Sequence, residues 1–450
     1  MLASPESKAK AVLEKFAAEN PDLERIELLF PDMNGVFRGK WLPPDSITKL
    51  VDGVRLPISS YAVDIWGRDV EETGLALASG DPDGVGVPII STLGMVPWSE
   101  HPTAHVLMTL ETGEGEPCIY DPRQRLVAIV DRLKAMGLTA VVAAELEFYL
   151  FRPREDLGDA PEPPEGTTAG SQLYDLDAMD ELEHVLRDIR NSCEELGVPA
   201  ETVTAEIGPG QFEINLKHLP DPLAAADSAM LFKRAVWGSA AKHNLEATFM
   251  AKPYGAEAGS GMHVHVSLVD EDGNNIFDGG DAVNPALLFA IGGALETMRD
   301  FQAIFAPHFN SYRRFMPNSY APTSPNWGID NRNAAVRVPE FSGPGARMEH
   351  RISGSDVNPY LAIAAILGGM MYGLEKKIDP GPPVEEGGEP HRRLYRNWSR
   401  AVEGFARSSI VADIFGKEYR RVYSAVRRSE IREMADMVTD VEYRTYLSRI

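Results

Sequence analysis

The chain has 450 residues, 44% of them hydrophobic and 25% charged, proportions of an ordinary globular protein that exclude wholesale disorder. Its 67 acidic against 44 basic residues give a net charge of −23, a field that repels nucleic acid and anionic membrane and favours cationic partners. Cys118 and Cys193 are too few for a disulfide framework or a cysteine-based zinc site, and they fit a reducing compartment.

Residues 1–6 lack the charged start and apolar stretch of a signal peptide, so cytoplasm is the expected location. Residues 7–19 have helical periodicity through Ala11, Val12 and Phe16, and the pattern stops before Asn20-Pro21. Residues 25–30 and 36–41, joined by Pro31-Asp32 and Asn34-Gly35, read as a β-hairpin. Further short strands run to residues 104–110. We expect a small β-rich domain over 1–114 and an α+β remainder over 115–450. In that remainder Asp121-Pro122-Arg123 opens a helix reaching Met136, and strands then alternate with amphipathic helices. Residues 155–170 and 379–390, rich in Pro, Gly and acids, read as surface loops. The longest apolar run, 360–374, is short of bilayer-spanning length and contains glycines; it reads as a buried helix, and no membrane partner is expected.

Side chains two apart on a strand share a face, and four segments use that spacing to gather polar groups. Glu145 and Glu147 interrupt the apolar strand 141–151 on one face. Two adjacent carboxylates either mark a solvated edge or, if buried, need cations. Glu206 and Glu213 flank a Gly208-Pro209-Gly210 turn, which taken alone is a turn with surface acids. Gly259-Ser260-Gly261 leads into a strand with His263 and His265 in register, readable as packed histidines or as a metal ligand and a phosphate contact. Arg347, Glu349 and Arg351 alternate along a fourth strand, an ion-pair ladder on a plain surface but a set of anion clamps beside a metal. Together, five glutamates and a histidine make a hard, oxygen-rich donor set suited to Mg²⁺ or Mn²⁺ rather than zinc or copper. No Gly-x-x-x-x-Gly-Lys-[Ser/Thr] loop and no Gly-x-Gly-x-x-Gly after a strand is present, so a nucleotide would be held by metals and arginines.

Glu145-Leu146-Glu147, Glu206 with Pro209-Gly210-Gln211-Phe212-Glu213, Lys252-Pro253 with Gly259-Ser260-Gly261-Met262-His263-Val264-His265, Asn310-Ser311-Tyr312-Arg313-Arg314 and Arg347-Met348-Glu349-His350-Arg351 resemble the glutamine synthetase superfamily in order and spacing. Residues 28–40, 62–67 and 320–328 bring the likeness nearer to its γ-glutamylpolyamine synthetases. The resemblance implies an α+β fold: an N-terminal β-grasp domain, 1–114, then a catalytic domain, 115–450, with a curved antiparallel sheet flanked by helices. It implies a dodecamer of two hexameric rings, with sites between the N-terminal domain of one subunit and the catalytic domain of its neighbour. ATP and two or three Mg²⁺ or Mn²⁺ ions per site come with it. Glu147, Glu206 and Glu213 resemble the ligands of one metal; Glu145, His263 and Glu349 resemble those of a second. His265 and Ser267 resemble ATP contacts. Arg314, Arg351 and the Gly259 backbone resemble the glutamate site, and Arg332 and Arg347 the groups that stabilise a transferring phosphoryl. Residues 318–328 are the candidate lid.

The departures bear on the amine. Ammonia-using members carry a glutamate where Tyr320 stands, and an acidic stretch where this chain has Tyr61-Ala62-Val63-Asp64. The expectation is therefore an ATP-dependent ligase joining the γ-carboxyl of L-glutamate to a primary amine, putrescine or another polyamine. Tyr320 would line the alkyl chain, and Asp64, with Glu71 or Glu72, would hold a distal ammonium. The alternatives are a glutamine synthetase using ammonia, or a ligase for ethanolamine or another monoamine. A silent structural ring should have lost metal glutamates or clamp arginines, and none is missing. A two-metal hydrolase fits the arginine ladder and the lid poorly, because hydrolases admit water.

Overall fold

Strand-forming runs separated by turn residues build the first part of the chain. The computed structural model describes residues 5–167, 171–316, 319–388 and 392–450. It opens with a helix, Pro5–Glu19, followed by β1 (Arg25–Pro31), β2 (Phe37–Leu42), β3 (Val54–Pro57), β4 (Asp83–Pro88), β5 (Gly94–Met95) and β6 (Thr103–Glu111). β1 and β2 form the expected antiparallel hairpin, and β1 runs parallel to β6. Among the described residues these strands make one sheet in the order β2-β1-β6-β4-β3, with β5 on β6. Its own core holds Leu13, Ile26, Leu28, Phe30, Val106 and Leu110.

The second sheet is larger and curled. It takes β7 (Thr139–Phe151), β8 (Ala200–Ala205), β9 (Gln211–Leu216), β10 (Glu246–Thr248), β11 (Met262–Val269), β12 (Trp327–Ile329), β13 (Val336–Glu340) and β14 (Arg347–His350). Their order is β12-β13-β14-β11-β7-β9-β8, with β10 also on β7. All pairs named for this sheet are antiparallel except β12–β13 at its edge, which run parallel and are joined by a turn that starts at Asp330 in the left-handed region (φ 48°). β7 lies at the centre, and its residues alternate between a fully buried face and a half-buried one over residues 139–148. That alternation puts Ala144, Leu146 and Phe148 into the core and Glu145 and Glu147 on the other face.

Helices cover the buried face. Four begin alike: Asp121, Asp221, Asn284 and Asn358 each cap a helix by accepting a backbone N–H two residues on, with proline at the first helical position. The helices Pro285–Met298 and Pro359–Lys376 meet backbone to backbone. A Cβ on Gly293 would lie 2.1 Å from the Gly369 carbonyl, and one on Gly373 2.0 Å from that of Phe289, so glycine is required at this crossing. The apolar run 360–374 is thus a buried helix, as its composition requires. Buried and half-buried polar links tie the first unit to the helices of the second: Asn358 Nδ2 donates to the Asp32 carbonyl (2.8 Å), Ile65 N to Glu430 Oε1 (2.7 Å), and Arg234 pairs with Glu27.

Candidate active site

Register decides which polar side chains meet. Across β14–β11, Glu349 faces His265; across β11–β7, His263 faces Glu145; across β7–β9, Glu147 faces Glu213. Opposed side chains on neighbouring strands sit roughly 5 Å apart, so four adjacent strands gather these six residues on one face. His263 Nδ1 lies 3.5 Å from Glu145 Oε2 and 3.8 Å from Glu349 Oε1, and its Nε2 lies 4.0 Å from Glu147 Oε1. One ligand atom each from Glu145, His263 and Glu349 lies within 4.8 Å of the others, and the same holds for Glu147, Glu213 and His263. One histidine is therefore shared between two ion-sized groups.

The charges are not balanced by the protein alone. Burial pushes the Glu213 carboxyl up to about 9, with Glu145, Glu147 and Glu206 adding repulsion. Burial, then Glu206, pushes Glu147 up to about 8, and burial raises Glu206 as well. For Glu145 the desolvation is outweighed by hydrogen bonds from His263 and His265, which hold it far below the usual carboxylate range. Carboxylates that resist ionisation when left to each other are the mark of a site built for added positive charge. The donor set fits as well: carboxylate oxygens with a single shared imidazole suit Mg²⁺ or Mn²⁺.

Arginines ring the cluster. Glu349, 1% exposed, is gripped from both sides, with Arg337 Nη1 3.0 Å from its Oε2 and Arg351 Nη1 on its Oε1. Arg347 Nε donates to His265 Nδ1 (3.2 Å), which leaves Nε2 of that ring as the donor to Glu145 Oε1 (3.0 Å). Arg314 is 6% exposed and donates from Nη1 to the Ile352 carbonyl (3.0 Å). Gly259 lies against it: a Cβ there would stand 2.7 Å from Arg314 Cγ. Gln211 Nε2 donates to both the Gly259 carbonyl (3.2 Å) and Glu147 Oε2 (3.3 Å).

Other residues singled out from the sequence stand apart from this core. Glu206 is half-buried and feels Glu145 and Arg332 electrostatically, yet it lies outside both tight groups. Arg332 is exposed in the turn between β12 and β13. Ser267 follows His263 and His265 on the same face of β11, half-buried. Tyr320 is 64% exposed. Asp64 belongs to the six-stranded unit, where its carboxylate accepts from Arg68 N (2.9 Å) and Nε (2.8 Å); Glu72 pairs with Arg432. Pro317 and Asn318, at the start of the candidate lid, lie outside the described residues. The lid's far end is not free to move as loop: Trp327 and Gly328 belong to β12, and Trp327 is 4% exposed with Nε1 bonded to the Gly381 carbonyl (3.0 Å). Arg337 and Gln211 had not been singled out by role. For Arg337 a signal existed, since it alternates with the buried Val336 and Val338 on a β-strand.

Residues 119–446 match the family described as glutamine synthetase, catalytic domain. The chain is 36% identical over 438 residues to the γ-glutamylputrescine synthetase PuuA of Escherichia coli (strain K12), covering 96% of this chain and 93% of that one. It is 32% identical over 467 residues to a glutamate–isopropylamine ligase of Pseudomonas sp, covering 99% and 100%. A solved GmaS/ADP complex superposes with a TM-score of 0.85 at 27% identity, covering 97% of this chain and 99% of that one. The sheet that gathers the glutamates and histidines lies within the matched region, and the chain belongs to the glutamine synthetase family, whose members depend on ATP and divalent metal, as an ATP-dependent glutamate–amine ligase.

Proposed function

We propose that this chain joins the γ-carboxyl of L-glutamate to a primary amine, putrescine or another polyamine, with ATP as the phosphoryl donor. The observation that carries the reading is the pair of carboxylate–histidine groups sharing His263, enclosed by Arg314, Arg337, Arg347 and Arg351. A carboxylate is a poor electrophile, so the γ-carboxyl first takes the terminal phosphoryl group of ATP, giving γ-glutamyl phosphate and ADP. The amine nitrogen then attacks the acyl carbon, phosphate departs, and the nitrogen loses a proton to solvent. Glu145, His263 and Glu349 would hold one divalent ion and Glu147 and Glu213 with the shared His263 another, Glu206 standing beside them, and such ions would supply the positive charge that transfer between two anions requires.

The chain's own groups do the rest. Arg314, Arg351 and the Gly259 backbone receive glutamate. His265 and Ser267 face the nucleotide, and Arg332 and Arg347 meet the phosphoryl in transit. Arg337 and Arg351 fix the Glu349 carboxylate between them. Residues 319–326 act as the lid, tethered by Ser319 Oγ to the Arg314 carbonyl (3.1 Å), and keep water from the acyl phosphate. The likeness to PuuA and the exposed Tyr320 ring, where ammonia-using relatives carry a glutamate, support an alkylamine over ammonia. In a dodecamer of two hexameric rings, Asp64, with Glu71 or Glu72, would serve a neighbour's amine site.

Phosphate release with ATP, Mg²⁺ and glutamate, in parallel with putrescine, spermidine, ethanolamine, ammonium or no amine, tests this. Release that depends on putrescine or spermidine but not on ammonium is expected. Release with ammonium alone, or with ethanolamine alone, overturns the polyamine assignment.

A further inference from the structure

Behind Arg314 lies a carboxylate that the reaction above does not use. The Asp356 side chain is 9% exposed. Its Oδ2 accepts from Ser311 Oγ at 2.6 Å and from His308 Nδ1 at 3.1 Å. Ser311 Oγ in turn accepts from His308 N (3.0 Å), and Arg314 N donates to the Ser311 carbonyl (3.2 Å). One carboxylate thus closes the short turn from which Arg314 departs.

The guanidinium then returns over the segment that carries Asp356, through its bond to the Ile352 carbonyl. That segment is stitched to the glycine turn of the site: Ser355 N donates to the Ser260 carbonyl (3.0 Å), Ser355 Oγ to the Gly261 carbonyl (2.5 Å), and Met262 N to the Ser353 carbonyl (3.0 Å). On the other side Lys233, 4% exposed, donates from Nζ to the carbonyls of Ser355 (2.6 Å) and Val357 (2.8 Å), which flank Asp356. Two buried cations, Arg314 and Lys233, are therefore held by neutral carbonyls, and the Asp356 charge acts on both, on Arg314 together with Glu147. Removing that charge would leave Lys233 with carbonyls alone and take one of two counter-charges from Arg314. His308, Ser311 and Arg314 hold the Asp356 carboxyl below its ordinary value despite burial, as a working counter-charge requires.

We propose that Asp356 is a positioning residue for substrate recognition: through Ser311 and His308 it fixes the turn that aims Arg314, and its charge anchors the guanidinium that receives the glutamate carboxylate. This rests on the reading of Arg314 as the glutamate contact. Both follow from the same experiment. Initial rates of phosphate release are measured against glutamate, ATP and amine for Asp356→Asn, Ser311→Ala and Arg314→Met, with thermal melting alongside. Asp356→Asn keeps the shape and removes the charge; Ser311→Ala keeps the charge and removes the link. Both should raise the KM for glutamate about tenfold or more while changing the KM for ATP less than about twofold. If Arg314→Met raises the glutamate KM and neither of the other two does, the positioning role is wrong. If Arg314→Met leaves that KM unchanged, the glutamate reading of Arg314 falls instead. Equal rises for glutamate and ATP would mark general loosening and overturn the proposal. Should Asp356→Asn fail to fold, Ser311→Ala decides alone.

Discussion

Replacing Gly259 by alanine tests the glutamate pocket with the smallest possible change, one methyl group. The new Cβ would stand 2.7 Å from Arg314 Cγ and 2.8 Å from the Ala251 carbonyl oxygen, where ordinary contact begins at 3.4 Å. The overlap is about 0.7 Å on the arginine side and about 0.6 Å on the backbone side. The Ala251 carbonyl is pinned by Ser260 N at 2.9 Å, so the side chain of Arg314 is the part that yields. A shift of that size stretches its 3.0 Å bond to Ile352 and moves the guanidinium off the position meant for a carboxylate. Misplacement by about 1 Å costs about a hundredfold in comparable sites, and overpacking costs about 1–3 kcal/mol of stability. We therefore expect the KM for glutamate to rise ten- to a hundredfold, with the KM for ATP within about twofold, in a protein whose melting temperature falls only by several degrees. Steady-state phosphate release against glutamate at saturating ATP and amine reads this directly. A folded Gly259→Ala variant with an unchanged glutamate KM would refute the placement of Arg314 against this glycine.

Glu147→Gln should abolish turnover while leaving the fold and its far-ultraviolet circular dichroism intact, because it removes a donor and a repulsive charge together; retained activity in excess Mg²⁺ would sink the metal assignment. Chelation of divalent ions should silence the wild-type enzyme, and added Mg²⁺ or Mn²⁺ should restore it. Tyr320→Glu should shift preference from alkylamine towards ammonium, measured as the ratio of kcat/KM values; a ratio that stays put would exclude Tyr320 from amine selection. His105 is fully buried with both ring nitrogens unpartnered, and burial, then Arg234, pushes it down to about 3. Between pH 6.5 and that value the unfolded chain binds the extra proton, so this stability contribution is full above pH 6.5 and falls by about 1.4 kcal/mol per unit as the solution is acidified. The difference in urea midpoints between wild type and His105→Leu, followed from pH 7.5 to 5, should show that slope; a flat difference would contradict it.

Much of the molecule is local in origin. The Asx-Pro starts of four helices, the Asn34-Gly35 hairpin, the apolar helix at 360–374 and the paired polar side chains at spacing two are written within a few residues of one another. Short-range patterns of that kind survive any arrangement of the rest, which is why residue types and faces were legible and why the motif order sufficed to place the chain in its family. The meeting of those faces was implied only by the resemblance to the family; spacing within the segments did not give it. Only the order β14-β11-β7-β9 and its register bring Glu349, His263, Glu145, Glu147 and Glu213 together, and long-range pairing sets both. The same pairing makes His263 common to two groups, leaves Glu206 beside rather than inside them, and lays Arg337 against Glu349. It also turns the end of the candidate lid into an edge strand. Residue types and the faces they share are local properties of the chain. Which faces meet, and which charges are left for a cation to balance, depends on burial between segments distant in the chain, and only the tertiary structure decides it.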